Sequence, residues 1–200
     1  MDKEERHNAL KQIKEELLIF KKSPLYKYRT ENKYWPVIGE GNHFAAIMFV
    51  GEAPGQTEAK TGRPFCGQAG KVLDRLIESA GLKREDVYIT NVLKDRPPGN
   101  RDPEPEEIDL YAPFLDRQIE IIRPKIIATL GRYSMKYILE KYDIIERFEP
   151  ISKIHGCVFE VEENYGPLKI VALYHPAVAV YNPNMFKELE RDFKQAVRLL

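Results

Sequence analysis

Apolar residues along the chain follow two periods. Four short apolar runs, Phe44 to Val50, Val87 to Thr90, Lys125 to Leu130 and Leu168 to Leu173, each end on glycine, asparagine or a Tyr-His-Pro segment, which reads as buried strands. Between them the spacing is helical: Gln68 to Ala80 closed by Gly81, Glu104 to Ile122, Arg132 to Lys141, and Asn184 to Leu200 capped at Asn182 or Asn184. Leu10, Ile13, Leu17, Leu18 and Phe20 mark an amphipathic N-terminal helix within residues 1–22. The stretch after it, through Ser23-Pro24 and Trp35-Pro36, reads as irregular. Pro113 is expected to kink or divide its helix. Gly156 to Val161 reads as one arm of a hairpin closed by Asn164-Tyr-Gly166. Strands alternating with helices predict a three-layer α/β/α fold around a central, mainly parallel four-stranded sheet. Residues 1–200 are expected to form a single domain, with the N-terminal helix packed on it.

Composition narrows the function classes. The 31 basic and 31 acidic side chains cancel, which excludes a uniformly basic nucleic-acid coat while leaving room for a local basic groove. Cys66 and Cys157 are the only cysteines, too few for a disulfide framework, and no Cys-x-x-Cys motif is present to hold zinc. The charged N-terminus is neither a signal peptide nor an anchor, and no apolar run approaches the roughly 20 residues of a membrane span. A soluble, cytoplasmic protein is expected, with no membrane partner.

In parallel sheets, ligands sit outside the carboxyl ends of the strands, so the strand-end segments carry the candidate chemistry. The first is Gly51-Glu-Ala-Pro-Gly55, a tight loop whose backbone N–H groups can approach a ligand. The same pattern serves an ordinary strand-to-helix turn, but Glu52 adds a carboxylate able to position or deprotonate water. Phe65, between proline and cysteine on what reads as an exposed turn, is either a stacking platform for a flat ligand or a loop anchor. Cys66 reads as a small buried filler. Asn91 ends the second strand, where an amide can form a turn or read a complementary amide edge. The stiff loop after it, Lys94-Asp-Arg-Pro-Pro-Gly-Asn-Arg101, suits phosphate contacts and also suits a solvated surface. His175 is held at the fourth strand end by Pro176, on the same rim as Glu52 and Asn91.

Taken in order, these segments resemble the type-4 uracil-DNA glycosylases. The resemblance is carried by Gly51-Glu-Ala-Pro-Gly55, Gly62-Arg-Pro-Phe-Cys-Gly-Gln-Ala-Gly70, Thr90-Asn-Val92, Arg96-Pro-Pro-Gly-Asn-Arg-Asp-Pro103, Arg123-Pro-Lys125, Leu130-Gly131 and Tyr174-His-Pro-Ala177. It runs from about Ser23 to the C-terminus. It implies a monofunctional DNA-repair enzyme that flips deoxyuridine out of the stack, hydrolyses its N-glycosidic bond and leaves an abasic site. Residue by residue, it implies that Glu52 aligns or activates water and that His175 bonds uracil O2. Phe65 stacks on the base, Asn91 reads N3–H and O4, and Ala53 offers backbone contacts. Glu58 stands where the methyl of thymine would fall. Ala177, Val178 and Tyr181 would enter the minor groove, with Lys94, Arg96 and Arg101 near phosphates of the uracil-containing DNA, bound by a monomer.

The resemblance also implies a [4Fe–4S] cluster held by four cysteines. The matching positions here are Phe20, Ser23, Asp95 and Tyr111, so no cluster and no metal is expected. Phe20 and Tyr111 are expected to fill the volume, and Asp95 to pair with Lys21 or Lys22. Two other functions fit the same residues: a non-catalytic binder of uracil-containing or abasic DNA, and a glycosylase for another deaminated base such as hypoxanthine.

Overall fold

A computed structural model describes the whole chain, Met1–Leu200. It contains six strands, β1 (Glu40–Gly41), β2 (Ile47–Gly51), β3 (Tyr88–Asn91), β4 (Ile126–Leu130), β5 (Val158–Glu163) and β6 (Gly166–Leu173). They form one sheet in the order β1-β3-β2-β4-β6-β5. The four inner strands are parallel, as expected, and the two edge strands are antiparallel. The sheet therefore has six strands rather than four. The two-residue β1 has no apolar run to reveal it, and the expected hairpin adds β5 to the same sheet beside β6.

The helices are α1 (Lys3–Leu18), α2 (Leu25–Glu31), α3 (Gln56–Thr61), α4 (Gln68–Ser79), α5 (Pro105–Ile122), α6 (Arg132–Lys141), α7 (Ile151–Ile154), α8 (Ala177–Tyr181) and α9 (Phe186–Val197). β2, β3 and β4 are buried throughout, as is β6 from Ile170 to Leu173, and their side chains alternate between two cores. Met48 and Val50 of β2 face a core shared with α1, α5 and α6, through Ile13, Leu115 and Met135 among others. Ile47 and Phe49 face the opposite core with α4 and α9, where Phe49 stacks on Phe193 at 5.4 Å. These are the three layers. None of the helices is long and apolar enough to cross a membrane.

Two local expectations are corrected. Pro113 does not divide α5, which runs 18 residues through it. Tyr111, Phe114 and Leu115 on either side are buried, and that packing outweighs the missing N–H. The stretch after α1 is not wholly irregular, because α2 occupies part of it and sends Arg29 inward.

Ser23, Asp95 and Tyr111 meet with Arg29 in a buried knot. Arg29 donates to both carboxylate oxygens of Asp95 at 3.1 and 3.0 Å, and to the carbonyls of Leu17 and Leu18 at 2.8 Å each. The Tyr111 hydroxyl lies 2.6 Å from Asp95 and 2.8 Å from Ser23 Oγ, while Phe20 packs edge-on against Tyr111 and Phe114. Asp95 thus pairs with Arg29, not with Lys21 or Lys22. Arg29 reaches the interior from a helix that the apolar pattern does not mark.

Candidate active site

The carboxyl ends of the parallel strands open on a cavity of about 330 Å³, in the range of small-ligand pockets. Its walls include Glu52, Ala53, Glu58, Phe65, Asn91, Arg101, His175 and Ala177. Residues far apart in sequence meet there because of strand register. Gly51 stands opposite Asn91, and Leu130 opposite Leu173, two residues before His175.

Glycine at two strand ends makes the room. A Cβ on Gly51 would lie 2.3 Å from Asn91 Oδ1 and 2.6 Å from the Phe65 ring. A Cβ on Gly131 would lie 3.2 Å from that of His175, and Gly131 also has φ +95°. Both glycines let side chains close over the ends of the sheet.

Phe65 is not exposed. It is 6% accessible and packs into the second core, with its ring 5.7 Å from the His175 ring. Its backbone sits at φ +46°, a strained conformation for a bulky side chain. Glu58 holds this loop, accepting from the backbone N–H groups of Cys66 and Gly67 at 2.9 and 2.8 Å. Glu58 therefore anchors the Phe65 turn as well as lining the cavity. Cys66 is only half-buried, 3.2 Å from Thr61 Oγ1.

The polar groups are held away from their ordinary states. Burial, reinforced by Asp102 and opposed by Arg132, pushes the Glu52 carboxyl up to about 7. Burial pushes His175 down to about 4, with Glu58 opposing, so the ring is neutral at physiological pH. Its Nδ1 accepts from the Ala177 N–H at 3.1 Å, which leaves the proton on Nε2. Asn91 is 1% exposed, and its Oδ1 has no hydrogen-bond partner. A buried acceptor left unpaired costs about 1–3 kcal/mol, so this one marks a place for a donor from outside.

The basic loop differs from its expected form. Lys94 cannot reach phosphates: it is fully buried, with Nζ 2.6 Å from the main-chain oxygen of Asn91. Its long stem turns back under β3 instead of outward, an inversion that composition does not reveal. Arg101 lines the cavity but is held by the buried Glu107 carboxylate through two bonds of 2.9 and 2.6 Å. Arg96 bonds only neutral partners, Asn100 Oδ1 and the Tyr28 hydroxyl. On the far rim α8 presents Tyr181, 88% exposed, beside half-buried Ala177 and Val178.

Sequence reasoning missed the Asp102–Arg132 ion pair (2.6 Å), whose charges act on Glu52. The signal was available, since Arg132 lies two residues past the β4 strand end. No three His, Cys, Asp or Glu side chains are placed to share a metal ion. The positions where the resemblance puts cluster thiolates do not fit a [4Fe–4S] group: the Arg29–Asp95–Tyr111–Ser23 knot occupies them.

Residues 38–200 match the model of the uracil DNA glycosylase superfamily. A type-4 uracil-DNA glycosylase of Sulfurisphaera tokodaii is 51% identical over 189 residues, covering 94% of this chain and 83% of that protein. One of Archaeoglobus fulgidus is 47% identical, covering 94% and 91%. A type-5 uracil-DNA glycosylase of Pyrobaculum aerophilum is more distant, at 32% identity over 77% and 71%. With the parallel sheet, the glycine-lined strand ends and the rim of Glu52, Asn91 and His175 in place, the chain belongs to the uracil-DNA glycosylase superfamily.

Proposed function

We propose that this protein is a monofunctional uracil-DNA glycosylase of DNA repair. It acts as a monomeric, single-domain cytoplasmic enzyme without an iron–sulfur cluster. The observation that carries the reading is the buried, unpaired Oδ1 of Asn91 in the cavity wall. The flipped uracil supplies the missing donor: its N3–H bonds Asn91 Oδ1 while the Asn91 amide N–H donates to O4. Cytosine reverses donor and acceptor at these positions and leaves both pairs mismatched.

Phe65 stacks on the base, Ala53 contacts it through backbone, and Glu58 stands toward the C5 position, where thymine carries its methyl group. His175, neutral with its proton on Nε2, donates to O2 as charge gathers there. Donors aimed at developing charge lower such barriers by about 3–4 kcal/mol. The C1′–N1 bond breaks with its electron pair going to the base, water adds to C1′, and the Glu52 carboxylate takes the proton from that water. No lysine lines the cavity, so no Schiff base forms at the sugar and the abasic strand stays intact. Tyr181 on α8 is the wedge in the minor groove, and Arg96 and Arg101 lie toward phosphates.

A folded core without thiolates supports the cluster-free reading, because the buried knot links α2, α5 and the start of the basic loop through hydrogen bonds. Incubation with a uracil-containing oligonucleotide, followed by alkali and strand sizing, tests the function. Cleavage only after alkali is expected, undiminished by a chelator, from a colourless, iron-free protein. Tight binding of uracil DNA with every strand alkali-stable would instead establish a non-catalytic binder.

A further inference from the structure

Beneath Asn91 lies a charged group that the steps above do not use. The chain doubles back after β3, so that Lys94 Nζ sits under the residues that end the strand. It lies 2.7 Å from Thr90 Oγ1, 2.6 Å from the Asn91 carbonyl and 2.5 Å from Gln118 Oε1. Each is an acceptor toward it. Thr90 Oγ1 spends its proton on the Ile38 carbonyl at 2.6 Å, and Gln118 turns its N–H groups to the Ile38 carbonyl and the Tyr88 hydroxyl. With the Thr90 proton on Ile38, the three close acceptors are met in full by the three N–H donors of the ammonium form. Burial works against that form, and no carboxylate pairs with it. An interior cation with three oxygens and no counter-charge is costly, and this one stands directly behind the residue that faces the base.

We propose that Lys94 is a positioning residue for base release. It holds Asn91 by its main-chain oxygen, and its positive charge favours the negative charge that the leaving base acquires. This rests on the glycosylase reading above. When the C1′–N1 bond breaks, its electron pair spreads over the base onto O2 and O4. His175 meets the charge at O2. Lys94 meets it from behind O4, through the Asn91 side chain that donates there, and without touching the substrate. The interior screens a charge far less than water does, so its effect persists over a distance that would silence a surface lysine.

The test is Lys94→Met, which keeps the stem and removes the charge, compared with the parent protein on oligonucleotides carrying uracil or 5-fluorouracil. Fluorine stabilises the departing anion, so 5-fluorouracil needs less help from the protein. Lys94→Met is expected to lower kcat for uracil about tenfold, the effect of one charge roughly 10 Å away at an effective dielectric near 20. KM should change little, and the loss for 5-fluorouracil should be clearly smaller. Lys94→Gln, uncharged but still a donor, should show the same base dependence if the methionine variant does not fold. Equal losses on both bases, a loss confined to KM, or failure of both variants to fold would overturn the proposal and leave Lys94 a structural pin. A parent protein that releases neither base would instead defeat the glycosylase reading itself.

Discussion

Two polar clusters lie in one molecule and treat their hydrogen bonds oppositely. At the Arg29–Asp95–Tyr111–Ser23 knot every buried group has a partner, and Arg29 and Asp95 are 4% and 0% exposed. At the strand-end cavity Asn91 Oδ1 has none, Glu52 and His175 are pushed toward neutrality, and Phe65 sits at positive φ. Burial alone does not distinguish them, since Asn91 is as buried as Asp95. What distinguishes them is completion together with place: the knot is satisfied within the fold, whereas the unpaired Asn91 oxygen belongs to a residue that lines an open cavity.

Deleting one member on each side breaks this comparison most sharply. Asp95→Ala leaves the Arg29 guanidinium buried without its carboxylate, at a cost of about 3–5 kcal/mol in denaturant unfolding. Turnover should survive at temperatures where the variant is folded. Asn91→Ala should do the reverse. It removes a donor to the developing charge, worth about 100- to 1,000-fold in kcat, while unfolding free energy stays level or rises because an unpaired acceptor is gone. If Asn91→Ala unfolds the protein as readily as Asp95→Ala does, the distinction is wrong.

A smaller effect, in pH dependence, sharpens it. The base must be ionised to accept a proton from water, so kcat/KM should rise through about pH 7, where Glu52 titrates. His175, titrating at about 4, should add no limb between pH 5 and 8. Asp102 raises Glu52, so Asp102→Asn should move the midpoint to lower pH, and the Arg132 charge it frees acts in the same direction. Stability follows its own sign. The folded value for Glu52 is above its ordinary one, so its contribution is full below about 4.5 and lost as pH rises through 7. Glu52→Gln should therefore raise the melting temperature at pH 8 more than at pH 4 while removing activity. An Asp102→Asn midpoint that stays put would mean that burial alone sets Glu52.

The two regions also differ in how legible they are in the chain. The parallel inner strands announce themselves by continuous apolar runs, and the strand-end rule places Glu52, Asn91 and His175 on one rim from the sequence alone. The short edge β1 and the turn helix α3 lack a period long enough to detect. Side-chain direction is harder still. Lys94 and Arg29 look like surface charges because lysine and arginine mostly are, yet each is drawn inward by oxygens contributed from distant segments: Gln118 to Lys94, and Asp95 with the Leu17 and Leu18 carbonyls to Arg29. Those oxygens are brought together only by folding. That Phe20, Ser23, Asp95 and Tyr111 stand where the resemblance puts thiolates is visible in the sequence, but that an arginine from α2 joins them is not.

The smallest expected effect tests the rim where DNA would lie. A cation that neutralises a phosphate contributes up to about 0.9 to the slope of log affinity against log salt on duplex DNA, and about 0.7 on a single strand. The three basic residues of the loop should not contribute alike. Arg96 bonds only to the Asn100 amide oxygen and the Tyr28 hydroxyl, so its charge is unspent. Arg101 already faces the Glu107 carboxylate through two bonds, so much of its charge is balanced before DNA arrives. Lys94 is sealed beneath β3 and releases no counterion. Replacing each in turn with an uncharged residue should therefore flatten the slope most for Arg96→Ala, less for Arg101→Ala and not at all for Lys94→Met. Titrating fluorescent uracil-containing DNA across a salt series reads this order directly. A slope that falls most in Lys94→Met would put that lysine on the surface and undo both its buried placement and its positioning role.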